Sequence, residues 1–119
     1  MKNEGRGAYC ECGMVTIRQI ENLSRRIARE FHPERIVLFG SYARGAAAAD
    51  SDVDLLIVLP FRGKAAKMSV EIRLRVRPSF PVDLIVRTPE KLRERLEMGD
   101  DFMREILEEG RVLYEADHG

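Results

Sequence analysis

Two short runs, Arg35-Ile-Val-Leu-Phe39 and Asp52-Val-Asp-Leu-Leu-Ile-Val-Leu59, constrain this chain more than anything else in it. Both are rich in β-branched residues and leucine and too short for helices, so both read as buried strands. The first run ends at Gly40-Ser41, and ten residues then separate Ser41 from Asp52-Val-Asp54. A sheet built on these runs therefore carries two carboxylates at the front of a core strand, just downstream of a glycine turn.

The rest of the sequence supplies layers for such a sheet. Thr16 and Gln19 have the form of a capping box. Behind them, Ile17, Ile20, Leu23, Ile27, Ala28 and Phe31 recur at three- and four-residue steps, which predicts an amphipathic helix stopped by Pro33. Ala46 to Ala49 are good helix formers and predict a short helical turn there. After the second strand, Pro60 and Gly63 break the chain. Ala65, Met68, Ile72 and Val76 mark one face of a further helix. Val82-Asp-Leu-Ile-Val86 predicts a third strand. Thr88-Pro89 is an N-cap followed by proline at the first helical position, and Leu92 and Leu96 follow it. Gly99 breaks that helix. Asp100 caps another that carries Phe102, Met103, Ile106 and Leu107, with Gly110 at its C′ position. Val112-Leu-Tyr114 closes the pattern as a last short strand. Strands interleaved with helices predict an α/β (α+β) fold with helices flanking one sheet.

Length and composition bound the remaining choices. A chain of 119 residues suits one domain, expected over residues 14–119 behind a loose tail of residues 1–13. It is 45% apolar and 34% charged, which fits a soluble globular protein. The longest apolar run, Leu55 to Leu59, falls far short of the ~20 residues that span a bilayer. The N-terminal residues lack the apolar core of a secretory signal, so a cytoplasmic location is expected. Basic and acidic residues balance at 20 each, so net charge argues for no nucleic-acid partner. Basic residues cluster between Arg62 and Arg77, and acids dominate from Glu90 onward. The basic run reads as a phosphate-facing side or simply as a solvated helix face. Cys10 and Cys12 lack the four ligands of a structural zinc site.

The carboxylates carry the chemistry. Strand side chains alternate, so Asp52 and Asp54 share one face while Val53, Leu55, Ile57 and Leu59 take the other. Asp83 would lie beside them if the second and third strands pair. Such a group would hold raised pKa values unless a cation neutralised it. An all-oxygen set suits Mg²⁺ or Mn²⁺, and Mg²⁺ keeps positions open for phosphate oxygens. Two ions would clamp the attacking and leaving oxygens of a phosphoryl displacement. Gly40 permits the tight turn that aims peptide N–H groups and the Ser41 hydroxyl outward, with Arg44 as a further phosphate contact. Each element also has a plainer use taken alone: a strand start for Asp52, a turn for Gly40-Ser41, a surface ion pair for Arg44.

The combination of Gly40-Ser41 with Asp52-x-Asp54, in the string FGSYARG…SDVDLLIVL, resembles the signature of the nucleotidyltransferase superfamily typified by DNA polymerase beta. The size of the chain, the later VDLIV and the closing ILEEGRVLYE are similar to its minimal nucleotidyltransferase branch. The resemblance implies a small mixed sheet with flanking helices. It implies that Gly40 and Ser41 hold the phosphates of ATP, and that Asp52, Asp54 and Asp83 ligate two Mg²⁺ ions, with Mn²⁺ an alternative. Asp83 would also help to deprotonate the acceptor hydroxyl. Many members of that branch are antitoxins of a HEPN-domain (higher eukaryotes and prokaryotes nucleotide-binding) toxin, and some transfer AMP to a tyrosine of it. A protein adenylyltransferase is therefore the expected function. The alternatives are a non-catalytic antitoxin that neutralises a HEPN partner by complex formation, and an enzyme modifying a small molecule or RNA. Homo- and hetero-oligomers both remain open.

Overall fold

The computed structural model describes residues 15–48 and 51–116. The expected tail over 1–13, with Cys10 and Cys12, lies outside the described residues. Helix α1 (Ile17–Phe31) opens with the full capping box: the Thr16 hydroxyl accepts the Gln19 N–H, and the Gln19 side chain accepts the Thr16 N–H at 2.8 Å. Its stripe buries Ile20, Leu23 and Ile27, while Ile17 at its head stays exposed. His32 turns into the left-handed region and Pro33 prevents continuation.

Strand β1 (Arg35–Phe39), the four-residue helix α2 (Ser41–Arg44) and strand β2 (Val53–Val58) follow. Helix α3 (Ala65–Val76) then crosses to strand β3 (Val82–Arg87), and α4 (Pro89–Glu97), α5 (Asp101–Glu109) and β4 (Arg111–Glu115) complete the order. The short helix forms at Ser41–Arg44 rather than over Ala46 to Ala48, and Ala49 lies outside the described residues. Gly45, at φ 72°, ends it in a left-handed cap, and Ala46 to Ala48 are non-helical despite their propensity.

The strands form one sheet in the order β3-β2-β1-β4. β1 runs antiparallel to both β2 and β4, with an irregularity between Ile36 and Val37 on the β4 side. β2 and β3 are parallel, which is why a helix must connect them. The sheet is therefore mixed, and both its faces are covered. On one face, α1 and α3 pack Ile20, Leu23, Ile27, Ile72 and Val76 against Ile36, Leu38, Val53, Leu55 and Ile57. On the other, Leu92 of α4 and Met103 and Ile106 of α5 cover Val37, Leu56 and Val58. β2 is thus apolar on both sides except at its start, where Asp54 stands on the α5 side.

The basic run divides its work. Arg73 donates to the Val82 carbonyl, tying α3 to β3. Arg75 pairs with Glu30 at 3.2 Å and lies over the Phe31 ring, tying α3 to α1. Arg62, Lys64, Lys67 and Arg77 are exposed, as a solvated face requires. Among the described residues, no helix is long and apolar enough to cross a membrane.

Gly110 caps α5, but in an extended conformation (φ −75°, ψ 167°) rather than the left-handed one that favours glycine at C′. Glycine is required there by proximity: a Cβ would stand 2.6 Å from Val37 Cγ1 and 2.9 Å from the Leu38 carbonyl, and would run into the Ile106 carbonyl. Gly110→Ala is therefore expected to cost about 1–3 kcal/mol, the usual range for overpacking. Urea denaturation checks this, and an unchanged midpoint would mean that α5 does not press on β1 as described.

Candidate active site

The site begins where β1 runs out. Gly40 takes φ 78° and ψ −155°, a conformation that side chains resist. Its carbonyl accepts the N–H groups of Ala43 and Arg44 at 3.1 and 3.2 Å, which closes α2 into a single turn. Tyr42 anchors that turn from the other side. Its hydroxyl accepts the Val15 N–H at 3.1 Å, and its ring packs into the α1–α3 core. An aromatic in a polar stretch is the one mark of this anchor in the amino-acid pattern.

Register then aligns the acids. Phe39, the residue before Gly40, is the antiparallel partner of Asp54, and Asp54 is the parallel partner of Asp83. The glycine turn, Asp54 and Asp83 consequently lie in one row across three neighbouring strands. Asp52 stands just ahead of β2, exposed like Asp83, while Asp54 is half-buried. A Cβ at position 40 would collide with Asp54 Oδ2. Glycine at 40 thus does two things: it makes the turn and it leaves the room that the Asp54 carboxylate occupies.

Electrostatics mark Asp54 out. Burial raises its pKa above the ordinary carboxylate value, and the charges of Asp83 and Asp52 push it further the same way. Arg44, at the end of α2, opposes them. These are the conditions a cation relieves, since it restores the solvation Asp54 has lost and neutralises the repulsion. The donors are carboxylate oxygens, which suit hard cations such as Mg²⁺ or Mn²⁺. Among the described residues, no three His, Cys, Asp or Glu side chains already converge as a closed metal group. The acids share an edge without forming a cage.

A cavity of about 240 Å³ opens beside Asp54. Phe39, Gly40, Ala43, Arg44 and Asp54 form one side of it, and Phe102, Glu105, Ile106, Glu109 and Gly110 of α5 form the other. The sequence-predicted residues Gly40, Arg44 and Asp54 therefore share one concavity. Ser41, the first residue of α2, does not line it, and neither do Asp52 and Asp83. The α5 wall is what sequence reading missed. Phe102 reads there as one more apolar position, and Glu105 and Glu109 are not singled out. The only available signal was their common helical spacing with buried Ile106.

The raised pKa of Asp54 has a consequence for stability. A carboxyl held above its ordinary value takes up protons on folding, so stability falls as pH rises from the ordinary carboxylate range through the raised value. Without metal, Asp54→Asn should therefore be more stable than the wild type at neutral pH, with the gap closing as pH falls through that window. Added Mg²⁺ should raise the thermal midpoint of the wild type but not of Asp54→Asn. Thermal unfolding across pH tests both, and a variant less stable than the wild type at neutral pH would contradict them.

Known proteins share this fold. A family model described as a nucleotidyltransferase domain matches residues 20–114, which include every residue of the row and of the cavity. A protein of Methanocaldococcus jannaschii, named "Putative protein adenylyltransferase MJ0604", is 36% identical over 81 residues, covering 68% of this chain and 78% of its own. The crystal structure of a "putative nucleotidyltransferase" from Sulfolobus solfataricus superposes with a TM-score of 0.60 at 19% identity, covering 87% of this chain and 83% of that one. A toxin–antitoxin crystal structure with AMP-PNP contains a chain that superposes with a TM-score of 0.53 at 20% identity, covering 82% of this chain and 74% of that one.

Proposed function

This chain belongs to the nucleotidyltransferase domain family, and from that premise we propose that it is a metal-dependent adenylyltransferase that modifies a partner protein. The observation that carries the reading is the row formed by Gly40, Asp54 and Asp83, in which the missing side chain at Gly40 lets the Asp54 carboxylate lie against the turn. An acidic edge that is strained by its own charge, next to a glycine turn, is what nucleotidyl transfer needs.

In this reading Gly40 and Ser41 hold the phosphate tail of ATP, and Arg44 offsets its charge. Asp52, Asp54 and Asp83 would hold Mg²⁺, two ions in all, with Mn²⁺ an alternative. When bound, the metal neutralises the charge gathered at the α-phosphate and on the departing oxygen. Asp83, on the outer strand β3, faces the acceptor and receives its proton. The acceptor oxygen forms a bond to the α-phosphorus, the bond from that phosphorus to the bridging oxygen breaks, and pyrophosphate leaves with the electron pair. The product carries AMP on the acceptor hydroxyl.

The name of the Methanocaldococcus relative supports a protein acceptor, and the toxin–antitoxin structure with a nucleotide analogue supports a toxin as that protein. We take the acceptor to be a tyrosine of a HEPN-domain toxin, which places the chain as its antitoxin. Mass spectrometry of the purified chain with a candidate HEPN-domain partner, ATP and Mg²⁺ is expected to show AMP added to the partner. The Asp52→Asn, Asp54→Asn double variant should lose the modification by on the order of 10²–10³-fold or more, as when charge-stabilising groups are removed. Equal modification by that variant would overturn the reading. A stable complex without modification would replace it with a binding antitoxin.

A further inference from the structure

Phe102 is an odd residue for its place on α5. It is 51% exposed, yet its ring is fixed against Phe39, edge to face, with centroids 5.9 Å apart and planes at 84°. An aromatic held at the end of β1 but left half in solvent contributes little to the core. It offers ring surface to the cavity that it shares with Gly40, Arg44 and Asp54. Glu105 and Glu109 follow at helical spacing and line the same cavity.

We propose that this cavity is the nucleobase subsite of the nucleotidyl donor, in which a base bearing an exocyclic amino group stacks on Phe102 and donates hydrogen bonds to Glu105 and Glu109. The proposal rests on the nucleotidyl-transfer reading given above. Charge decides which part of the nucleotide enters. Glu105 and Glu109 on the α5 side of the cavity are acidic, so that side repels a phosphate tail and admits a neutral base, while Gly40 and Arg44 opposite are left to the phosphates. Position decides the same way. The cavity adjoins the Gly40 turn but not Asp83, so it lies on the donor side of Asp54 and leaves the β3 side to the acceptor. Chemistry then selects the base. Ionised carboxylates only accept hydrogen bonds, which matches the amino hydrogens of adenine. Uracil has no amino group and sets carbonyl oxygens on both sides of its one N–H against them.

The test is equilibrium binding by the full chain in Mg²⁺, with non-hydrolysable analogues of ATP and UTP and with inorganic tripolyphosphate. Phe102→Ala should weaken the ATP analogue by about tenfold or more, the loss of one stacked base, and leave tripolyphosphate unchanged. Phe102→Trp should retain the affinity. Glu105→Gln with Glu109→Gln should narrow the preference for the ATP analogue over the UTP analogue. If Phe102→Ala binds the ATP analogue like the wild type, or loses tripolyphosphate equally, the base subsite is overturned while nucleotidyl transfer stands. An unchanged preference in the glutamate variant overturns their role. A wild type that binds none of the three probes overturns the nucleotide reading itself.

Discussion

The parallel pairing of β2 with β3 is the constraint on which the rest depends. It sets Asp54 beside Asp83, and the antiparallel pairing of β1 with β2 sets Asp54 under Gly40. Neither pairing can slip by one residue, because Val53, Leu55 and Ile57 would then leave the α1–α3 core and the acids would enter it. The same hydrophobic alternation that holds the sheet in register therefore holds the acids together. The fold pays for this at one point, where a half-buried carboxylate is pressed by two others.

Covering both faces of the sheet is what makes that point local. Leu56 and Val58 continue the Asp54 face into the layer of α4 and α5. Asp54 stands where this apolar cover ends and the cavity starts. Apolar packing behind it lowers the local dielectric, which strengthens the pull on a cation as well as the repulsion between acids. Arg44, carried on a one-turn helix that Gly40 and Gly45 delimit, supplies a positive charge without closing the cavity. The charged start of β2 is thus supported by the apolar packing behind it.

Most of this arrangement was legible in the amino-acid sequence. β-branched runs marked β1 to β3 to within a residue, because their burial is set by local pattern. Thr16, Thr88 and Asp100 marked three helix starts, and each side chain accepts the expected backbone N–H. Two local readings failed for physical reasons. The alanine run lost its helix to a neighbouring turn that Gly40 and Gly45 fix more strongly than propensity does. Gly110 proved to be a packing glycine, since its contacts come from β1, far away in the chain. The α5 wall was illegible for the same reason. Whether Phe102, Glu105 and Glu109 face water or a site depends on which strand α5 crosses, and no spacing along the helix records that.

The most direct measurement uses ATP radiolabelled at either the α- or the γ-phosphate, with the chain, its partner protein and Mg²⁺. Nucleotidyl transfer breaks the bond between the α- and β-phosphates. Label from the α position should become covalently attached to protein, and label from the γ position should leave as pyrophosphate. Attachment of the γ label, or of neither label while nucleotide binds, would contradict adenylylation as the work of this site.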